Sequence, residues 1–208
     1  MLRQGLHNRL VHTRRVRVLR DHIVKLLPAG SAVLDVGCGD GLLAHLIAEC
    51  RSDLQLTGID VLVRPEPHIP VEQFDGQTIP VSDAGVDVVM FIDVLHHTRD
   101  PRTLLSEAAR VARRAIIIKD HCRDSRLAAA TLRFMDWVGN AHHGVELPYN
   151  YWSSREWAAA FGDMGLHLEF WRQKLGLYAW PATWLFDREL HFIARLQPRH
   201  ASTLPPAR

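Results

Sequence analysis

The 208-residue sequence holds only three cysteines, Cys38, Cys50 and Cys122, and no C-x-x-C pair. An odd set with that spacing excludes a secreted disulfide scaffold and a structural zinc site, and it points to a reducing, cytoplasmic setting. No run reaches the ~18 apolar residues of a membrane-spanning helix. Internal repeats and low-complexity segments are missing as well. What is present is globular composition, 47% hydrophobic and 23% charged. A chain this long buries ~70% of its unfolded surface and needs no disulfide or metal staple. It reads as one domain over 1–208: an N-terminal helix within 1–30, a ligand-binding half over 31–120 and a second half over 121–208.

Acidic residues are scarce at the N-terminus. Residues 1–25 carry six arginines and Lys25 against Asp21 alone, a net of +6 that leaves −4 for the remainder. A basic, acid-poor segment suits nucleic acid, an anionic membrane or a transit peptide, but it lacks the apolar core of a secretory signal. Val16, Leu19, Ile23, Leu26 and Leu27 recur at helical spacing, which predicts a helix that packs these residues on the domain while its arginines stay in water. Pro28, Ala29 and Gly30 end it.

From Ser31 short apolar runs alternate with helical stretches. Ala32–Val36, Leu54–Ile59, Val71–Phe74, Val86–Ile92 and Ala115–Lys119 read as strands. Helices follow the first (Leu42, Leu43, Leu46, Ile47) and the fourth, where Asp100-Pro101 pairs a capping carboxylate with proline at the first helical position. The alternation predicts an α/β fold with a parallel sheet and helices on both faces. Ligands of such sheets sit beyond the carboxyl ends of the strands. Asp35, Asp60, Asp75, Asp93 and Asp120-His121 all fall there. Further on, residues 125–138 and a helix capped by Ser153-Ser154-Arg155-Glu156 and closed at Gly165 precede strands over His167–Lys174 and Glu189–Leu196.

The turn after the first strand reads Gly37-Cys38-Gly39-Asp40-Gly41, a G-x-G-x-G order with Leu42 where a dinucleotide loop has its third glycine. The string Val33-Leu34-Asp35-Val36-Gly37-Cys38-Gly39-Asp40-Gly41 resembles the first motif of class I S-adenosylmethionine-dependent methyltransferases, in particular the small-molecule, type 11-like members. Gly58-Ile59-Asp60, Phe74-Asp75-Gly76, the run Val86–His97 and the helix through Glu107–Val111 extend the likeness over about residues 16–120. One departure is the absence of a Pro-Gly-Gly turn, since Arg113-Arg114 runs straight into Ala115.

The resemblance implies a Rossmann-like sheet of seven strands, mostly parallel with the last antiparallel, and S-adenosylmethionine as cofactor. It assigns cofactor binding to Asp35, Gly37, Cys38, Gly39, Asp60, Val61, Phe74, Asp75, Gly76, Ile92 and Asp93. The cofactor has no phosphate, so acids and backbone groups should hold it: Asp35 the ammonium, Asp60 the ribose diol, Asp75 the adenine amino group.

Methyl transfer is largely positional, with a base wherever the acceptor must lose a proton. His121 is the first candidate for that base and His97 the second, with His96, His142 and His143 nearby in sequence. No metal is expected, since His121, Cys122, Asp136, His142 and His143 match no closed zinc pattern. Phe134, Met135, Trp137, Tyr149, Tyr151, Trp152, Trp180 and Trp184 suggest a small apolar or aromatic acceptor, methylated at oxygen, and equally suit a core or homodimer contact. The expected partner is thus a small molecule rather than nucleic acid. Two alternatives are an RNA or protein methyltransferase docking through the basic helix, and a catalytically silent partner protein. Asp93-Val94-Leu95-His96 stands where an Asn-Pro-Pro-Tyr-type signature would support the first.

Overall fold

The computed structural model describes residues 14–125, 127–133, 150–180, 183 and 189–199. Its elements are α1 (residues 14–23), β1 (Ala32–Val36), α2 (Leu42–Cys50), β2 (Gln55–Asp60), β3 (Val71–Gln73), β4 (Val86–Ile92), a 3₁₀ turn (Leu95–His97), α3 (Pro101–Val111), β5 (Ala112–His121), α4 (residues 127–133), α5 (Ser154–Asp163), β6 (His167–Arg172) and β7 (His191–Gln197). The strands form one sheet in the order β3-β2-β1-β4-β5-β7-β6. β1 to β5 pair in parallel, and β7 runs antiparallel to both β5 and β6. This is the expected Rossmann-like architecture.

The central strands are apolar on both sides because both sides are covered. Val89, Phe91, Ile116, Ile118 and Phe192 pack with Leu104, Leu105, Trp157 and Phe161 of α3 and α5. On the opposite face Val88, Met90, Ile117 and Ile193 pack with Leu19 and Ile23 of α1 and Ile47 of α2. The predicted caps form: Asp100 accepts from the Arg102 N–H, and Ser153 and Glu156 close a reciprocal capping box. No helix among the described residues is long and apolar enough to cross a membrane.

Besides shifts of one or two residues at the ends of β2, β3, β6 and β7, three expectations need correction. β5 begins at Ala112, three residues early, because α3 passes directly into it: Ala112 is the C-cap of α3 and already has extended dihedrals. A bulge absorbs the surplus, with Val86 opposite Ala112 but Val88 opposite Ala115. Arg113 then reaches Asp87, and Arg114 donates to the Ala29 carbonyl and the Ser31 hydroxyl. The N-terminal helix also gives way to turns after residue 23, five residues before Pro28. Finally, not all of its arginines stay in water, since Arg15 reaches Asp93 at the tip of β4.

Candidate active site

The glycine turn leaves β1 with Gly37, Gly39 and Gly41 all at positive φ. At Gly37 a Cβ would press to 2.6 Å from Val94, so only glycine fits both the dihedral and the space. Gly39 (φ 61°) differs, because a Cβ there would meet no atom within 4 Å. The turn therefore opens a cradle above Gly39. Beneath it, Gly58 of β2 has no side chain because a Cβ would lie 2.4 Å from the Cys38 sulfur. Burial pushes the Cys38 thiol up to about 12, with Asp35 and Asp60 adding to it, so Cys38 is a packed thiol rather than a nucleophile.

Asp35 is buried in β1 beside Gly58 and Met90 on the neighbouring strands. Its Oδ1 meets no hydrogen-bonding partner among the described residues. Burial, reinforced by Asp60, pushes its carboxyl up to about 7. A buried acid with nothing opposite it calls for a cationic or donating ligand. Asp60, at the tip of β2, accepts the Gly39 N–H at 2.8 Å and the Leu62 N–H at 3.0 Å, one on each oxygen. Asp75 accepts from the Gln77 and Thr78 N–H groups, both at 2.7 Å, and these bonds hold its exposed carboxyl below the usual range. Val61 is 55% exposed and lies against Gly76; Phe74 and Ile92 are partly buried and pack on opposite faces of the sheet.

The second group of residues occupies the tips of β4, β5 and β7. Asp93 is left-handed at φ 57°, unusual for a non-glycine residue and characteristic of functional sites. Its carboxylate faces Lys119 of β5 and lies 2.5 Å from Arg15 of α1. Burial opposes ionisation there, but Lys119, Arg15 and His121 hold the carboxyl well below its ordinary value. Lys119 is fully buried, which pushes it down to about 8 against the pull of Asp93.

Asp120, also fully buried, caps the turn after β4: its Oδ2 accepts from the Leu95 and His96 N–H groups at 3.0 and 3.3 Å. Its Oδ1 takes the His121 N–H at 2.7 Å and His96 Nδ1 at 2.7 Å, with His121 Nδ1 at 3.3 Å. A carboxylate only accepts, so His96, at 2.7 Å, carries its proton on Nδ1. His121 Nδ1 lies 3.3 Å from the same oxygen and 3.4 Å from His96 Nδ1, and with its proton turned to Asp120 its Nε2 lone pair is the basic site. Burial, with His96 and Lys119, pushes His121 down to about 4, so it is neutral at physiological pH. The donor atoms of His96, Asp120 and His121 lie within 4.8 Å of one another, and these hydrogen bonds account for the convergence.

The structure thus joins Asp35, Gly37, Cys38, Gly39 and Asp60 around one cradle and places His121 in a buried cluster at the β5 tip. His97 is exposed, its ring 3.9 Å from that of His96. Tyr151 walls the cluster, stacked on His96 at 5.6 Å and edge-on to His121 at 5.8 Å. Trp152 instead packs on Trp157, and Trp180 is 86% exposed. Phe134, Met135, Asp136, Trp137, His142, His143, Tyr149 and Trp184 lie outside the described residues. Sequence reasoning missed Arg15, Lys119 and His191. A lysine ending the run Ala115-Ile116-Ile117-Ile118 was the available signal for one of them.

An acidic glycine turn without the lysine of a phosphate loop, at the switch between β1 and β4 of a seven-stranded sheet with its final strand reversed, defines a class I S-adenosylmethionine-dependent methyltransferase. The chain belongs to the Methyltransferase domain family, whose sequence profile matches residues 10–169. It is similar to the 27-O-demethylrifamycin SV methyltransferase of Amycolatopsis mediterranei (strain S699), 32% identical over 46% of this chain and 40% of that protein. It is also similar to the O-methyltransferase cnsE of Penicillium expansum, 32% identical over 54% and 48%. The chain spans under half the length of these relatives.

Among solved structures, the fold resembles a chain in the complex between the Haloferax volcanii Trm112 methyltransferase activator and the putative methyltransferase. There the TM-score is 0.67 at 19% identity, covering 94% of this chain and 92% of that one. It also resembles geranyl diphosphate C-methyltransferase from Streptomyces coelicolor A3(2), with a TM-score of 0.64 at 13% identity, covering 86% and 78%. The residues present fit the cofactor of this class. The bare Oδ1 of Asp35 suits an ammonium, the space above Gly39 suits a chain lying along the turn, and Asp60 keeps lone pairs for a diol.

Proposed function

We propose that this protein methylates a hydroxyl oxygen of a small, apolar or aromatic molecule at the expense of S-adenosylmethionine. When bound, the cofactor would supply a methyl group already activated by its sulfonium, which would leave as the thioether. Everything else falls to the chain. Asp35 ionises against the ammonium, the main chain of Gly37, Cys38 and Gly39 lies along the methionine portion, and Asp60 accepts from the ribose diol. Val61, Phe74, Gly76 and Ile92 border the adenine, with Asp75 at its amino group. Asp93, clamped by Lys119 and Arg15, fixes the β4 tip between cofactor and acceptor.

His121 takes the acceptor proton on Nε2 while Asp120 holds its Nδ1–H. A general base typically contributes about 10²–10⁴-fold, most when its pKa lies near the operating pH. The burial that lowers His121 weakens it as a base and puts its contribution toward the lower end. That buried, carboxylate-held imidazole is the observation that carries the assignment to oxygen, and the activities printed for the two relatives support it.

The test is calorimetry with S-adenosylhomocysteine alongside turnover of a phenol panel. Asp60→Ala and Gly39→Arg are expected to abolish cofactor binding with the fold intact. His121→Phe is expected to bind the cofactor normally while losing at least a hundredfold in kcat. Wild-type affinity in both cradle variants would refute the cofactor site, and full turnover by His121→Phe would refute the base.

A further inference from the structure

His191 opens β7 directly opposite His121 in the β5–β7 register, and their ring centroids are 4.8 Å apart. It is 1% exposed, yet its Nε2 meets no hydrogen-bonding partner among the described residues. Such atoms are rare, because a buried polar group without a partner costs the full loss of its hydration.

The tautomer follows from the other ring nitrogen. Lys119 Nζ, itself paired with Asp93, lies 3.3 Å from His191 Nδ1. An ammonium donates and never accepts, so Nδ1 is the acceptor and the ring proton sits on Nε2. Across from it, a His121 that serves as the base has the opposite assignment: Nδ1–H is turned to Asp120 and the lone pair is on Nε2. Two neutral imidazoles therefore stand side by side, one with an unused donor and one with an unused acceptor. The charged and titratable groups facing His191 are Lys119 and His121 from β5, Asp93 from β4, Arg15 from α1 and Tyr178 from the segment before β7. Lys119 and Arg15 are balanced by Asp93 and by Asp120, which lies 3.3 Å from His121 Nδ1, so the two imidazoles rather than a net field address the bound oxygen.

We infer that His191 and His121 form a two-point clamp for the acceptor hydroxyl: His191 Nε2–H donates to the same oxygen whose proton passes to His121 Nε2. The proton ends on His121 and then on solvent, and the oxygen retains its electron pair for attack. The clamp rests on the reading of the protein as an O-methyltransferase and narrows the acceptor to an acidic, phenol-type hydroxyl. An alcohol gains less from such a donor, since it develops less negative charge at this stage. His191 is thereby an acceptor-binding residue that contributes nothing to holding the cofactor.

The probe is 4-nitrophenol, whose ionised form absorbs in the visible, titrated against pH in the presence of S-adenosylhomocysteine. Wild type is expected to bind it with its ionisation shifted down by about one pH unit, a tenfold effect of the size one hydrogen bond to a charged group supplies. His191→Phe keeps the ring and removes the N–H; it should lose that shift and bind the probe about tenfold more weakly. His191→Gln restores an N–H and should recover part of both. Affinity for S-adenosylhomocysteine should be unchanged in both variants, and near-ultraviolet dichroism reports their folding. A probe that binds His191→Phe as tightly and as fully ionised as wild type overturns the clamp, and so does a wild type that binds no probe. Failure of the methyltransferase reading shows separately, as loss of S-adenosylhomocysteine binding by the wild type.

Discussion

The two ends of the strand-tip site are built differently. At the cofactor end the groups come from strand-tip turns, and backbone N–H groups satisfy two of the three acids, Asp60 through Gly39 and Leu62 and Asp75 through Gln77 and Thr78, while Asp35 Oδ1 stays bare. At the acceptor end charge meets charge across long separations. Arg15 and Asp93 are 78 positions apart and Lys119 and His191 are 72 apart, and Lys119 is fully buried where they meet. One end is a set of turns and the other a salt-bridged junction of three strands and a helix. Damage to the first should therefore stay local and show as binding. Damage to the second should spread into stability.

The largest separation of the two ends is expected from Lys119→Met. Removing one partner of a buried pair leaves Asp93 with Arg15 and a neutral His121 and should cost about 3–5 kcal/mol. For a chain of this size that lowers Tm by roughly 10 °C or more, and pairing it with Asp93→Asn should restore most of the loss. A Tm within two or three degrees of wild type in the single variant would show that the acceptor end carries no such load.

Asp35→Asn probes the other end. Its carboxyl, raised to about 7 from 3.8, contributes stability that is complete below pH ~4 and lost as the pH rises through 7, at most roughly 4 kcal/mol. Asparagine removes that titration, so the empty variant should be more heat-stable than wild type at pH 8 and lose the advantage at pH 5. Cofactor binding should run the other way: wild-type affinity for S-adenosylhomocysteine falls as pH drops from 8 to 6, and the variant is weak and flat. A pH-independent wild-type affinity would count against the ammonium assignment.

The smallest effect belongs to Arg15→Ala. The arginine is one-third exposed, so its pair with Asp93 should be worth under about 1 kcal/mol, with a stronger effect on acceptor KM than on Tm. A drop in Tm matching that of Lys119→Met would erase the distinction between the pair's buried and exposed members.

The same contrast explains what could be read from the sequence. β4 was legible residue for residue, because Val86–Ile92 is an apolar run bounded by turn residues. The glycine turn, Asp100-Pro101 and the Ser153–Glu156 box were legible because their chemistry is local. The start of β5 was not: Arg113 and Arg114 look like a turn until Asp87 and Ser31 are present to receive them. β6 ran two residues short of expectation on an exposed edge, where burial gives little alternation to read. Neither Arg15 nor His191 carried any signal, since a basic helix and a histidine opening a strand acquire meaning only through Asp93 and Lys119. Asp120 was noted as one more strand-tip acid, and its capping of the turn after β4 depends on a distant backbone.

The bare carboxyl of Asp35 also bears on how long the protein persists in a cell. A ligand that binds only the folded form withdraws chains from the unfolded pool in proportion to its concentration over Kd. Here it also relieves an internal electrostatic tension that the empty form must carry. Degradation that draws on the unfolded pool should therefore quicken when methyl-donor supply falls, making abundance of this chain a readout of one-carbon status.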